Sequence, residues 1–241
     1  MAEVALASES PLWEPLAAWE PLVSRVLEAA LAHARRRAVA RAPDGIVGEG
    51  PVAVEISVLL TDDPGMRVLN ARWRGKDRPT NVLAFPLLPP EEAQRALLDA
   101  GAVPPLLGDV VLAHETIARE ASALGLAFAD HLAHLLVHGC LHLLGYDHDR
   151  EEEAEAMEEM ESVILGGLGI ACPDRSPHGA APGRAERPLA DAARLPLPAA
   201  RASEAPAARP DAPIAHAPAV AAGGAGAGRF ELGVGPAGGR R

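Results

Sequence analysis

Cysteine is scarce: two residues in 241, Cys140 and Cys172. Two thiols make no disulfide framework of the kind that staples small secreted domains, so a reducing compartment is expected. Long apolar runs are missing as well. Glu3, Glu9, Glu14 and Glu20 interrupt the N-terminal apolar stretches and no basic residue accompanies the first of them, so neither a signal peptide nor a membrane span is expected, and the expected location is cytoplasmic. Positive charge is in deficit: 22 Lys and Arg face 33 Asp and Glu, and Lys76 is the single lysine. Large apolar residues, finally, are almost absent from Asp174 to Arg241, a stretch of Ala, Pro, Gly and Arg. Such a segment cannot bury enough surface to offset the entropy of ordering it. Residues 1–173 are long enough for one domain with one core, and 174–241 are expected to be a disordered tail.

The tail carries nine Arg against six acidic residues, so of the overall charge of −11 the body holds −14. An acidic body is a poor general binder of nucleic acid, and a phosphate-bearing ligand would need a local basic patch. The Arg35-Arg36-Arg37 run with Arg41 suits a helix C-terminus, where cations complement the dipole.

Periodicity supplies the elements. Trp19, Leu22, Val23, Val26, Leu27, Ala30 and Leu31 recur at helical spacing and place a first helix from about Pro15 to Val39. Val52–Leu60, Thr80–Phe85 and Gly108–Ala113 read as strands. A short helix follows Asp62-Asp63-Pro64, a turn of helix is expected at Glu91–Leu98, and helices follow near His114–Leu124, Phe128–Leu144 and Arg150–Leu168. In the last helix Ala154, Met157, Ile164 and Leu168 form the expected buried seam, and Glu151, Glu152, Glu153, Glu155, Glu158, Glu159 and Glu161 the solvated face.

Chemistry concentrates in His138-Gly139-Cys140-Leu141-His142-Leu143-Leu144-Gly145-Tyr146-Asp147-His148. On a helix, His138 and His142 share a face with Cβ atoms roughly 5–6 Å apart, within reach of one ion. Gly145 can end the helix in a left-handed conformation, letting the chain return His148 as a third ligand. Three protein ligands leave a tetrahedral zinc one open position, the mark of a catalytic site. The ligand frame HxxxHxxGxxH is that of the metzincin proteases, but Gly139 stands where their general base, a glutamate, would be. His134 is expected to orient or pack, and His131 to be structural.

A second constellation holds Arg67, Arg72, Arg74, Lys76 and Arg78, five cations within twelve residues, opposed only by Asp77. Arginine forks and a lysine point charge suit a nucleic-acid backbone, and Trp73 either stacks on a base or belongs to the core.

The run Leu69-Asn70-Ala71-Arg72-Trp73-Arg74-Gly75-Lys76-Asp77-Arg78-Pro79-Thr80-Asn81-Val82-Leu83-Ala84-Phe85-Pro86, then Leu107-Gly108-Asp109, then the histidine motif with its acidic following helix, resembles the YbeY family of bacterial endoribonucleases. The resemblance spans about Val52 to Gly169. It implies an α+β fold, a small mixed β-sheet packed with about five helices and a zinc site at the end of a helix. It implies one Zn2+ per chain held by His138, His142 and His148, with Arg74 as the arginine needed for activity. The implied function is a zinc-dependent, single-strand-specific endoribonuclease acting in 16S rRNA 3′-end maturation and ribosome quality control. The implied partners are RNA (the 16S rRNA precursor), the small ribosomal subunit and the Era GTPase, with neither membrane nor DNA. Ala84 stands where that family commonly has serine, and the long tail is no part of its core. Two rival readings are a non-catalytic assembly factor whose zinc only stabilises the fold and a metalloprotease-like hydrolase, which Gly139 disfavours.

Overall fold

The computed structural model describes residues 2–42, 47, 52–98, 103–147 and 151–170. Along these the elements are β1 (Ala2–Ser8), α1 (Glu20–Arg41), β2 (Val54–Thr61), α2 (Asp63–Arg74), β3 (Val82–Pro86), α3 (Pro90–Ala96), β4 (Leu106–Ala113), α4 (His114–Leu124), α5 (Phe128–Leu143) and α6 (Glu151–Gly167). The sheet runs β1-β2-β4-β3, with β1, β2 and β4 parallel and β3 antiparallel at the far edge. This is the α+β architecture with a small mixed sheet that the sequence leads one to expect. The boundary at 173/174 and the segment 174–241 lie outside the described residues.

Two elements differ from the reading of periodicity. The strand β1 adds a fourth member to the sheet, Val4 pairing with Ile56 and Leu6 with Val58. Its Ala-rich sequence has weak β propensity, and only a partner some fifty residues downstream makes it a strand. Helix α1 begins at Glu20, with Pro21 in its first turn and a separate 3-10 turn at Leu16–Ala18 before it. Proline has no N–H to give and clashes with the preceding turn, so it belongs at a helix start and not five residues inside one.

Strand alternation divides the core in two. Ile56, Leu60, Val82 and Val110 point to the face covered by α1 and α5, where Leu27, Leu132, Leu136 and, from α6, Met160 and Leu165 complete the main core. Leu83, Phe85 and Val111 point to the other face, against Met66, Leu69 and Trp73 of α2.

Both α2 and α5 run antiparallel to β4. At the start of α2, the Asp63 carboxylate accepts from the Thr116 amide at 3.1 Å and its hydroxyl at 2.6 Å, just beyond the end of β4. At its end, Trp73 lies edge-on to Phe85 at 6.0 Å, and Phe85 pairs with Asp109 near the start of β4. Helix α5 begins beside α4, where His131 meets Glu120. It finishes over Gly108, where an added Cβ would stand 3.0 Å from Leu143 Cδ2 and collide with the Phe85 carbonyl. Gly108 has φ +148, so glycine is required here on both counts. The two helices therefore end over the same end of the sheet, on opposite faces.

Candidate active site

Helix α5 is built on Leu132, Leu135, Leu136, Leu141 and Leu143, which are buried, while histidines recur along it at 131, 134, 138 and 142. The four histidines do different things. His131 is fully buried, its Nε2 2.9 Å from Glu120 Oε2, and the same oxygen accepts from Asn81 Nδ2 at 3.0 Å. It ties α5 to α4 and the start of β3, a structural role. His134 sits one turn on, with Nε2 3.3 Å from Glu161 Oε2.

His138 and His142 converge. Their rings cross nearly at right angles with centroids 4.6 Å apart, and their Nε2 atoms lie 3.1 Å from each other. Two imidazoles on one tetrahedral zinc with Zn–N bonds of 2.0–2.1 Å have nitrogens about 3.3 Å apart. The pair therefore fits a shared ion as well as a shared proton. His138 Nδ1 is 2.7 Å from Glu161 Oε1, an arrangement in which the carboxylate accepts a hydrogen bond from Nδ1–H and leaves the Nε2 lone pair directed outward. Among the described residues no set of three donors surrounds one point; His148 lies outside them.

Glu161 corrects the expectation for α6. It is 6% exposed, not part of a wet face, because it follows Met157 by four and precedes Ile164 by three, on the same stripe of the helix. Burial raises its pKa, and the hydrogen bonds from His134 and His138 more than reverse that, holding the carboxyl at about 2. The charge is thus kept against His134 and His138. The spacing was the available signal, overridden by the run of glutamates around it.

Gly139 faces the sheet. A Cβ there would meet Val110 Cγ1 at 2.9 Å and Val82 Cγ2 at 3.6 Å, so α5 lies close on the sheet and any longer side chain at 139 would enter that interface. Cys140 is fully buried and its thiol is pushed up to about 12 by desolvation, which keeps it protonated and inert. Gly145 has φ +82 and sits where a Cβ would strike Pro90, so the turn that leads towards His148 packs directly on α3.

Arg74 is the last residue of α2, and Gly75 closes that helix at φ +67. Desolvation lowers the Arg74 pKa, and desolvation followed by the charges of Arg74 and Arg78 lowers that of Lys76. Asp77, the only acid in the segment, is bound by Arg67 through Nε–Oδ1 at 2.6 Å and Nη2–Oδ2 at 2.7 Å. The other cations of the segment are Arg72, Arg74, Lys76 and Arg78. Trp73 resolves to the packing alternative: it joins Met66, Leu83 and Phe85 and carries the Arg72 guanidinium 5.2 Å from its ring. The structure brings His138 and His142 together and sets Arg74 at the same end of the sheet, across the edge strand β3 from them.

A family model described as "Endoribonuclease YbeY" matches residues 18–169. Proteins named "Endoribonuclease YbeY" are similar to this chain: that of Rhodopseudomonas palustris (strain BisB5) is 46% identical over 171 residues, covering 71% of this chain and 80% of the relative. That of Rhodospirillum rubrum is 52% identical over 156 residues, covering 64% and 76%. A solution structure from Thermotoga maritima, 22% identical, covers 75% of this chain and all of its own at a TM-score of 0.41. The family model's match over residues 18–169 and the 46% and 52% identical relatives show that the chain belongs to the YbeY family.

Proposed function

We propose that this protein is a zinc-dependent, single-strand-specific endoribonuclease, acting in 16S rRNA 3′-end maturation and ribosome quality control, with the small ribosomal subunit and the Era GTPase as partners. The observation that carries the reading is the His138–His142 Nε2 pair with Glu161 behind it, in a chain of an endoribonuclease family. His138, His142 and His148 are the proposed zinc ligands, one ion per chain. Zinc, when bound, would supply Lewis-acid polarisation of a phosphoryl oxygen and a water of lowered pKa.

The protein's own groups do the rest. Glu161 fixes the tautomer and ring orientation of His138, and His134 shares the carboxylate's second oxygen. Arg74 stabilises the charge that develops on the phosphate as the fifth bond forms, and Lys76 and Arg78 gather the RNA backbone beside it. The half-buried setting of Arg74 strengthens its field on a bound phosphate, since less water screens it.

The test is cleavage of a defined single-stranded RNA by highly purified protein and by Arg74 variants made identically. Arg74→Ala should keep its stability and zinc content and lose about 10²-fold or more in rate, as when a donor to a developing oxyanion is removed. Arg74→Lys should recover only part of it, because a point charge does not replace a bidentate fork. Full activity in zinc-replete Arg74→Ala would remove Arg74 from the site and favour an assembly factor that does not itself cut RNA.

A further inference from the structure

In a body of net charge −14, cations are few, and their placement is informative. Ten of the thirteen Lys and Arg among residues 1–173 fall in two groups. One is the Arg67–Arg78 segment already described. The other consists of Arg35, Arg36, Arg37 and Arg41 on the last turns of α1, joined by Arg95 of α3. Sequence alone reads this second group as a solvated helix end. The fold adds what sequence could not show.

Helices α1 and α3 enclose a groove of about 310 Å3, floored by Ala34 and Ala38, flanked by Arg41 and Arg95, with Glu91 the one acid on its lining among the described residues and Tyr146 at its wall. Arg41 and Arg95 are exposed. Arg35 Nε donates to the Leu97 carbonyl at 3.1 Å and pins the end of α3 to α1. The groove is also tied to the histidine helix. Gly145 packs on Pro90, Gln94 Nε2 donates to the Leu144 carbonyl at 3.4 Å, and the Tyr146 amide donates to Leu141 at 3.0 Å. Tyr146 thus stands between the end of α5 and the groove.

We infer that this groove is a second RNA-backbone tract, which holds single-stranded RNA on the side of the histidine site away from the Arg74 segment. The inference rests on the endoribonuclease reading and extends it: the two basic groups bracket the end of α5, so a strand crossing the His138–His142 pair is held on both sides. Phosphates meet Arg41 and Arg95, and Tyr146 offers a ring to a base, a sequence-tolerant contact. An apolar floor with charged flanks suits a single strand, whose bases and phosphates part to opposite sides.

The experiment measures anisotropy of a labelled single-stranded RNA of about 20 nucleotides against the full chain across a salt series, with RNA integrity checked on a gel. Arg41→Ala/Arg95→Ala is compared with wild type and with Arg25→Ala, which removes charge from the other end of α1. The double variant should bind about tenfold more weakly at low salt, and its slope of log K against log salt should be shallower by about 1.4, as two lost single-strand phosphate contacts require. Its zinc content and melting temperature should be unchanged, and Arg25→Ala should bind as wild type does. Equal affinity and slope in the double variant, with wild-type RNA binding intact, would overturn the tract alone and leave the groove to an acidic protein segment. Failure of the wild-type protein to bind or cleave RNA would overturn both this inference and the function on which it rests.

Discussion

Removing the Glu161 carboxylate should weaken metal binding without touching a metal ligand. Glu161 is 6% exposed and accepts from His138 Nδ1 at 2.7 Å and His134 Nε2 at 3.3 Å. Carboxylates that orient a ligating imidazole typically contribute 10- to 100-fold in metal affinity, about 1.4–2.8 kcal/mol. Glu161→Gln keeps the volume and one acceptor oxygen for His138, but turns an NH2 group towards His134 and loses the negative charge, so its zinc affinity should fall about tenfold. Glu161→Ala deprives both imidazoles and leaves a void, so the loss should approach 100-fold, with a stability cost of about 1–3 kcal/mol for the stranded buried donors. Competition against a chromophoric chelator gives the affinities, and urea unfolding the stability. A folded Glu161→Ala protein that binds zinc as tightly as wild type would refute the assignment of Glu161 as the group that positions His138.

The remaining stability predictions separate structural from functional residues on α5. His142→Ala should lose most of the zinc seen by elemental analysis, whereas His131→Ala should keep it while losing about 2–4 kcal/mol, since it opens a cavity and takes from Glu120 one of its two partners; equal metal loss in both would contradict the division of roles. Gly139→Ala gains at most about 1 kcal/mol in helix propensity against about 1–3 kcal/mol of overpacking. With a Cβ 2.9 Å from Val110 Cγ1, overpacking should win and the melting temperature fall; a rise would show that α5 can lift from the sheet.

Much of the site was legible in the sequence because its signal is local. The i,i+4 pair His138 and His142 and the helix-ending Gly145 are read within one helix and its turn, and the structure has them as expected, with Gly145 at φ +82. Long-range features were not legible. The strand β1 exists only because β2 accepts it in parallel register, and Ala5 and Ala7 carry little strand preference of their own. Glu161 was hidden by six neighbouring glutamates, although its spacing from Met157 and Ile164 puts it on the buried stripe. The shared sheet end of Arg74 and His142 follows from two helices running alike on opposite faces, which no spacing in the chain encodes. Tyr146 beside Arg41 and Arg95 is likewise a product of α3 packing on Gly145.

The most direct test of the central claim is cleavage of a defined single-stranded RNA by wild-type protein stripped of metal, then restored with one equivalent of zinc, beside His142→Ala carried through the same purification. The stripped protein should not cleave, zinc should restore cleavage to wild type, and His142→Ala should not recover it. Cleavage that persists without metal, or that is equal in His142→Ala, would contradict a metal-dependent site at the end of α5.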